Sequence, residues 1–355
     1  MCGLVGFYAN PFPFTESTAE EILRRMTACL KHRGPDDDGQ WIDPAAGIAL
    51  GQTRLAIVDL SPLGHQPMHS ASGDWTIVFN GEIYNFQELR QVIASTGVTF
   101  RGHSDTEVLV EGFALWGVQK TIEKCIGMFA IAAWNHRERQ LTLIRDRMGI
   151  KPLYYGRVGG GRLGETWIFG SELKAFHPHP HFEPRLNRPV VPLFLRHNYI
   201  PAPYSIYEHV WKLPPGSLLT IDAAGQTTGP HTYWSVRESA VQAGHASPFT
   251  GSVEEATTQL EELLESSIGL RMIADVPLGT FLSGGIDSSL VTAIMQKLSS
   301  RPVRTFSIGF EDPEYDESPF ARTIARHLGT DHTEHIVAGP EALDVIPLLP
   351  TMFDE

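Results

Sequence analysis

The stretch Met1-Cys2-Gly3-Leu4-Val5-Gly6-Phe7-Tyr8 places a cysteine directly before a short apolar run. We predict that Gly3–Tyr8 forms a buried strand, which would hold the preceding residue inside the fold. Removal of Met1, which small second residues usually permit, would give Cys2 both a thiol and a free α-amine. Their reference pKa values, about 8.5 and about 7.7–8.0, allow one group to act as nucleophile while the other moves the proton. The simpler interpretation is a cysteine without a role, and the rest of the chain decides between the two.

Length and composition limit the class of protein. A chain of 355 residues with 42% hydrophobic and 10% aromatic residues is typical of a globular protein with two domains. The net charge of −13 argues against a nucleic-acid-binding surface. The three cysteines, Cys2, Cys29 and Cys125, are too few and too scattered for a disulfide framework or a metal knuckle, which favours a reducing, cytoplasmic setting. No signal peptide is recognised, and no apolar run approaches the roughly 18 residues of a membrane span, so we expect no membrane contact.

The pattern of elements changes along the chain. Residues 1–195 alternate many short strands with a few helices, which favours an α+β domain of layered sheets. Residues 196–252 are rich in proline and predict a connecting segment. From residue 253 to residue 355, strands alternate with long helices, which indicates a parallel, doubly wound sheet.

The heptad Ser-Gly-Gly-Ile-Asp-Ser-Ser at residues 283–289 stands where a predicted parallel strand passes into a helix. Ligands bind at this position in such sheets, and paired glycines let the backbone approach an anion at the helix N-terminus. The heptad lacks the Gly-Lys-Ser/Thr of a P-loop, so γ-phosphate transfer of the usual kind is not indicated. A plain turn is the alternative, but the context favours phosphate binding, and the heptad resembles the PP-loop of ATP pyrophosphatases.

Several polar residues of the first domain occupy positions that packing does not require. Taken singly, Arg54 is explained as a surface arginine, Asn80-Gly81 as the type I′ turn of a hairpin, and Asp105 as part of a helix capping box. Taken together, a guanidinium suits an α-carboxylate and a carboxylate suits an α-ammonium. The Asn80 side chain and the Gly81 N–H would then be donors of an oxyanion hole. The set predicts a site for a free amino acid.

A resemblance to known proteins rests on stretches that follow one another along nearly the whole chain. They are Met1-Cys2-Gly3, HRGPD (32–36), RLAIVD (54–59), NGEIYN (80–85), SDTE (104–107), RDRMGIKPLYY (145–155), SELKA (171–175) and SGGIDSS (283–289). The first part resembles class II glutamine amidotransferases, which use an N-terminal nucleophile. Its combination with a PP-loop is similar to the family of glutamine-hydrolysing asparagine synthetases.

The resemblance implies a fold. We expect a layered αββα domain of the N-terminal-nucleophile (Ntn) hydrolase type, followed by an α/β parallel-sheet ATP pyrophosphatase domain that is incomplete at its C-terminus. The family continues for a couple of hundred residues, with a second acidic glycine-rich stretch and the aspartate-binding groups. This chain stops at residues 352–355, Met-Phe-Asp-Glu. We therefore expect the 355-residue polypeptide to hydrolyse glutamine without making asparagine, and to expose apolar surface.

The resemblance also implies roles for individual residues. Cys2 would attack the side-chain amide of glutamine, and Asn80 with Gly81 would hold the oxyanion. The residues implied to bind the amino-acid end of glutamine are Arg54, Leu55, Ala56, Ile57, Val58, Glu82 and Asp105. Those implied to bind ATP are Leu282, Ser283, Gly284, Gly285, Asp287, Ser288, Ser289 and Ile308. Asp287 is a candidate ligand for Mg²⁺ on the pyrophosphate, since Mg²⁺ takes oxygen ligands.

The family's reaction passes ammonia from glutamine through a tunnel to an aspartate activated by ATP as β-aspartyl-AMP. The products are asparagine, glutamate, AMP and pyrophosphate, and a homodimer is expected. One alternative is the same architecture amidating another carboxylate, such as a polysaccharide sugar acid. A second is glutamine hydrolysis alone, and a third is a non-catalytic regulatory protein. A fourth is a β-lactam-forming relative. Cys2 argues against the last two, because decayed enzymes usually lose the nucleophile and the β-lactam-forming relatives lack it.

Overall fold

The computed structural model describes residues 2–160 and 165–355, which form two units. Unit 1 runs to Ala246 and also includes Asp354–Glu355, and unit 2 is Ser247–Phe353.

The elements of unit 1 are short strands with a small number of helices. The strands are β1 (Gly3–Tyr8), β2 (Asp37–Asp43), β3 (Ile48–Arg54), β4 (Met68–His69), β5 (Trp75–Ile83), β6 (Gly127–Asn135), β7 (Gln140–Arg145), β8 (Tyr154–Gly159), β9 (Glu165–Gly170), β10 (Val210–Lys212), β11 (Ser217–Ile221) and β12 (Thr227–Thr232). The helices are α1 (Glu16–Ala28), α2 (Phe86–Ala94), α3 (Asp105–Trp116), α4 (Val118–Lys124), α5 (Val191–His197) and α6 (Ala243–Ala246).

These strands form two antiparallel sheets with a common core. Sheet A has the order β10-β8-β9-β1-β3-β2, and sheet B has the order β12-β11-β7-β6-β5-β4. Leu4 and Leu50 of sheet A share a buried cluster with Val78 and Ala130 of sheet B, so the two sheets pack face to face. Because side chains alternate along a strand, Val5 and its neighbours on the other face of sheet A pack against α1 instead.

The outer face of sheet B is covered in the same way. Helix α3 packs on β5, where the rings of Trp75 and Phe113 lie 5.7 Å apart, and α2 packs on α3. The order helix, sheet, sheet, helix confirms the predicted αββα layering. The predicted connecting segment, residues 196–252, differs in the structure, because β10 pairs with β8 and β11 pairs with β7. Up to Ala246 this segment belongs to unit 1.

Unit 2 has the predicted alternation of strands and helices. Its elements are α7 (Val253–Leu270), β13 (Gly279–Phe281), α8 (Ile286–Leu298), β14 (Arg304–Phe310), α9 (Ser318–Leu328), β15 (Asp331–Val337), α10 (Gly339–Val345) and α11 (Leu349–Met352). The strands pair in parallel in the order β13-β14-β15. Phe281 and Ile308 on these strands are exposed, as expected for a small sheet with little cover.

Candidate active site

Cys2 precedes β1 and is half-buried. Its thiol donates to the carbonyl of Leu55 at 3.6 Å, and the Leu55 N–H donates to Sγ at 3.4 Å. The guanidinium of Arg33 donates from Nε to the Cys2 carbonyl at 2.9 Å and pairs with Glu172 at 2.6 Å. Burial raises the pKa of the Cys2 thiol, and the Leu55 N–H opposes that rise. Cys2 is therefore held by hydrogen bonds at both its backbone and its sulfur.

Arg54, at the end of β3, is buried and does not reach out to solvent. Its guanidinium donates to the carbonyls of Val58 and Ser61, each at 3.3 Å, and also to that of Asp59. A Cβ at Gly64 would lie 2.0 Å from Nη2 of Arg54 and 2.9 Å from the Asp59 carbonyl oxygen, so a larger residue here would displace the guanidinium. Arg54 thus shapes the following loop around itself, which excludes the interpretation as a surface arginine.

Asn80 and Gly81 lie inside the continuous strand β5, so the hairpin-turn interpretation is wrong. The glycine is required by packing, because a Cβ at Gly81 would lie 2.1 Å from the Met128 carbonyl oxygen on β6. Asn80 is fully buried, and its Nδ2 donates to Ser171 Oγ at 3.4 Å. Among the described residues, Oδ1 of Asn80 has no hydrogen-bond partner.

The direction of the Gly81 N–H follows from the ladder. Gly81 stands opposite Phe129 of β6, whose N–H and carbonyl both bond to Asp146 on the other side of β6. In an antiparallel ladder such a pair exchanges no hydrogen bond, so the Gly81 N–H points away from β6. The N–H groups two residues before and after it do the same: Phe79 donates to Gln66 Oε1 at 2.7 Å and Ile83 to Asp105 Oδ2 at 2.9 Å.

Asp105 is the first residue of α3. The N-cap is Ser104, whose Oγ accepts the Glu107 N–H at 3.2 Å. The Glu107 carboxylate accepts the N–H groups of Arg101 and Gly102, so capping explains Ser104 and leaves Asp105 available for another role. Burial raises the pKa of Asp105 to about 6, and the neighbouring charge of Glu82 adds to the rise.

These residues surround one cavity of about 580 Å³ including its open mouth. Nine of the ten residues predicted for the glutamine site line it: Cys2, Arg54, Leu55, Ile57, Val58, Asn80, Gly81, Glu82 and Asp105. Ala56 does not line the cavity, and its N–H donates to Asp36 Oδ2 at 2.9 Å. The lining residues that sequence reasoning missed are Gln66, Phe79, Thr106, Met128 and Lys151.

Lys151 brings a buried cation to the cavity. Asp146 accepts the N–H groups of Ile150 and Lys151, each at 2.9 Å, and Arg145 donates to the Lys151 carbonyl at 2.9 Å. This turn fixes the lysine, which is buried. Burial lowers the pKa of Lys151, and the Glu82 carboxylate opposes the change. The residues of this turn belong to the stretch RDRMGIKPLYY (145–155). Its charged residues were the sequence signal that could have pointed to Lys151.

The cavity therefore joins a thiol, backbone and amide donors, a guanidinium and a carboxylate. Such a set can hold a zwitterionic amino acid by its two ends and polarise a carbonyl next to a nucleophile. Cys2 and the loop of residues 55–58 adjoin the paired strands β1 and β3 of sheet A, whereas Asn80 and Gly81 lie on β5 of sheet B.

In unit 2 the SGGIDSS heptad forms the loop between β13 and α8. Gly284 has φ +85°, and a Cβ there would lie 2.6 Å from Phe320 Cβ, so glycine is required. The hydroxyls of Ser283 and Ser288 lie 3.0 Å apart, and no side chain of the described residues caps the N-terminus of α8. The first N–H groups of the helix are thus left for an anion.

The remaining predicted ATP residues lie beside this loop or on the next strand. Leu282 is buried and donates its N–H to the Phe306 carbonyl at 2.8 Å, whereas Asp287 in the first turn of α8 is exposed. Ser289 Oγ donates to the Gly285 carbonyl at 2.6 Å, and Ile308 lies on β14. In the described ranges, no group of three or more His, Cys, Asp or Glu residues is arranged to hold a metal ion. No described helix is long and apolar enough to cross a membrane.

Comparison with known proteins assigns a family to each unit. A family model described as a glutamine amidotransferase domain matches residues 1–234, and one described as asparagine synthase matches residues 259–355. Glutamine-hydrolysing asparagine synthetase 1 of Bacillus subtilis is 32% identical over 356 residues, which cover 100% of this chain and 53% of that protein. The putative glutamine-hydrolysing asparagine synthetase 2 of Methanocaldococcus jannaschii is 32% identical over 380 residues, covering 100% of this chain and 68% of that protein.

The chain spans about half the length of the first of these relatives. Among solved structures, glutamine phosphoribosylpyrophosphate amidotransferase from B. subtilis aligns with a TM-score of 0.47 at 14% identity, over 95% of this chain and 81% of that one. That score is too low to bear on function. The sequence relationships are sufficient, and the chain belongs to the family of glutamine-hydrolysing asparagine synthetases.

Proposed function

We propose that unit 1 hydrolyses the side-chain amide of glutamine at Cys2. The observation that carries the proposal is the single cavity that joins the Cys2 thiol to Asn80, Gly81, Arg54 and Asp105. Arg54 binds the α-carboxylate of glutamine and Asp105 binds its α-ammonium, with Glu82 and the loop of residues 55–58 completing the site.

The reaction proceeds in two steps. After removal of Met1, the Cys2 α-amine takes the thiol proton while Sγ attacks the amide carbon. The Gly81 N–H and the Asn80 amide stabilise the oxyanion, and loss of a donor of this kind costs about 10²–10³-fold in kcat. The carbon–nitrogen bond breaks, ammonia leaves with the proton from the α-amine, and water then cleaves the thioester to glutamate.

For the whole protein we propose glutamine-dependent asparagine synthesis. Unit 2 binds ATP at the SGGIDSS loop, where the uncapped N-terminus of α8 supports the proposal. Mg²⁺ would be held by the phosphates and by Asp287, since a hard oxygen ligand on an exposed carboxylate fits this ion. The ammonia amidates aspartate activated as β-aspartyl-AMP, which gives asparagine, AMP and pyrophosphate. A homodimer in the cytoplasm belongs to the same proposal.

Release of glutamate from glutamine tests the role of Cys2. We expect Cys2→Ala to lower kcat at least about 10⁴-fold, because it removes the nucleophile. Cys29→Ala is the matched control, since Cys29 is the C-cap of α1, its thiol donates to the Arg25 carbonyl at 3.4 Å, and it does not line the cavity. Equal loss in both variants, or activity retained in Cys2→Ala, would contradict the proposal.

A further inference from the structure

The amide of Asn80 leaves one polar atom, its oxygen, without a hydrogen-bond partner among the described residues of unit 1. Nδ2 donates to Ser171 Oγ at 3.4 Å, while the buried Oδ1 has no partner among the described residues. Buried polar atoms without partners are rare in folded proteins, so an orphaned oxygen beside a cavity needs an explanation. An oxygen facing a developing oxyanion would also repel it.

Ser171 links the two sheets at this point. It follows β9 in sheet A, is fully buried, and forms a reciprocal pair with β1. The Leu4 N–H donates to Ser171 Oγ at 3.1 Å, and the Ser171 N–H donates to the Leu4 carbonyl at 2.9 Å. Leu4 lies two residues after Cys2, so Ser171 contacts the strand of the nucleophile and the Asn80 amide on β5 at once.

The count of protons decides how the amide is oriented. A serine hydroxyl has one proton and two lone pairs. When the Leu4 N–H and Asn80 Nδ2 both donate to Oγ, the hydroxyl proton is not donated to the amide. Oδ1 of Asn80 then has no donor among the described residues. A half-turn of the amide lets Oγ–H donate to Oδ1 and keeps the bond from Leu4. The NH₂ group then takes the place of Oδ1, with its donors turned away from Ser171.

We propose that Ser171 is a positioning residue that orients the Asn80 amide for catalysis. The Leu4 N–H occupies one lone pair of Oγ and directs the single hydroxyl proton to Asn80 Oδ1. The amide nitrogen is thereby held toward the oxyanion that forms at the glutamine carbonyl. This inference rests on the proposed function, because it assumes that Asn80 stabilises that oxyanion.

The test compares Ser171→Ala with Asn80→Ala and the double variant. The readouts are kcat and KM for glutamine, and the affinity for L-glutamate γ-semialdehyde, which forms a tetrahedral adduct with a thiol and needs the oxyanion donors. Thr166→Val is the matched control, since it removes a hydroxyl of a fully buried residue from β9, the strand that Ser171 follows. The Thr166 hydroxyl lies 3.2 Å from Nδ1 of His181. Ser171→Cys preserves the packing with a weak donor and serves if Ser171→Ala does not fold.

We expect Ser171→Ala to lower kcat about 10- to 100-fold, less than removal of the donor itself. KM should change less than about threefold, the aldehyde affinity should fall in parallel with kcat, and Ser171→Cys should change in the same direction. Because the serine acts through Asn80, its substitution should have no further effect in the Asn80→Ala background. Thr166→Val should leave all three readouts unchanged.

Two results would overturn the inference: normal kcat in Ser171→Ala, or the same fold loss with Asn80 present and absent. Cys2→Ala, measured in the same assay, separates this failure from that of the proposed function. If Cys2→Ala is inactive while Ser171→Ala is normal, only the inference fails. If Cys2→Ala keeps its activity, the proposed function fails and the inference fails with it.

Discussion

The two candidate sites of this chain are built in opposite ways. In unit 1 the site is made of buried side chains, with Asn80 0% and Asp105 7% exposed. In unit 2 the SGGIDSS loop is made of backbone and short hydroxyls, and Ile286 beside it is 86% exposed. In the proposed function, the first site recognises an amino acid by charged groups held at fixed positions. The second offers the generic anion-binding end of a helix.

This difference indicates which of the two sites should depend on charge and on pH. Burial raises the pKa of two groups that line the cavity of unit 1, that of Asp105 to about 6 and that of Cys2 above its ordinary value. Substitutions there should change both affinity and pH dependence. Around the loop of unit 2, hydrogen bonds in contact with water contribute less, so single substitutions should have smaller effects.

The largest effect after loss of the nucleophile is expected for Asp105→Asn. The neutral amide cannot pair with the α-ammonium of glutamine, so KM should rise about 10- to 100-fold, in keeping with a charge-assisted hydrogen bond of about 1.5–3 kcal/mol. The carboxylate is the binding form, so kcat/KM of the unsubstituted protein should fall as the pH drops through about 6.

The measurement is kcat/KM for glutamine between pH 5 and 8, followed by release of glutamate. Asp105→Asn should lose the acid limb, whereas Glu88→Gln, on the exposed face of α2, should keep both KM and the limb. An unchanged acid limb in Asp105→Asn would assign that titration to another group.

A smaller effect is expected for Lys151→Met. Removing this buried cation takes away one positive charge that acts on Glu82 and on a forming Cys2 thiolate, so kcat/KM should fall about tenfold, or about 1.4 kcal/mol. Alkylation of Cys2 in this variant should also require a higher pH to reach the same rate as in the unsubstituted protein. Lys120→Met on the exposed face of α4 is the control, and equal behaviour of the two variants would remove Lys151 from the site.

The smallest effect is expected in unit 2. Ser283→Ala removes the hydroxyl that bonds to Ser288, and we expect ATP affinity to fall about two- to tenfold, as for a neutral hydrogen bond of about 0.5–1.5 kcal/mol. Glutamine hydrolysis should not change. Binding of ATP by calorimetry, with Ser300→Ala as an exposed control, measures this. A loss above about 100-fold would show that the side chains dominate this site as well.

The sequence predicted the layered fold and the alternation of unit 2 because hydrophobic periodicity reports burial directly. It did not predict that Asn80 and Gly81 lie inside a strand. There the local preference for a turn is outweighed by strand pairing, in which the Met128 carbonyl closely approaches Gly81. Nor did it find Lys151, which reaches the cavity only through the turn fixed by Arg145 and Asp146. Local patterns carry propensity, whereas these positions depend on contacts between distant strands.

The short strands β10–β12 show the same limit. Residues 217–221 predict a strand, and β11 forms there and pairs with β7. Residues 225–251 instead predict a loop, yet Thr227–Thr232 form β12 at the edge of sheet B. Edge strands tolerate proline because one side of the ladder is unused, so a proline-rich segment at a sheet edge resembles a connection when only its sequence is considered. The buried position of Arg54 could likewise not be predicted from the sequence. Its hydrogen-bond partners are carbonyls of the following loop, which surround the guanidinium only in the folded chain.

The central claim is that the processed N-terminal cysteine is the nucleophile of a glutamine site. Intact-mass and peptide mass spectrometry of the protein treated with a glutamine analogue that carries an electrophilic diazoketone tests it most directly. We predict loss of Met1, one adduct on Cys2, and a parallel loss of glutamate release, with glutamine slowing the labelling. An adduct on Cys29 or Cys125, or full labelling without loss of glutamine hydrolysis, would contradict the account.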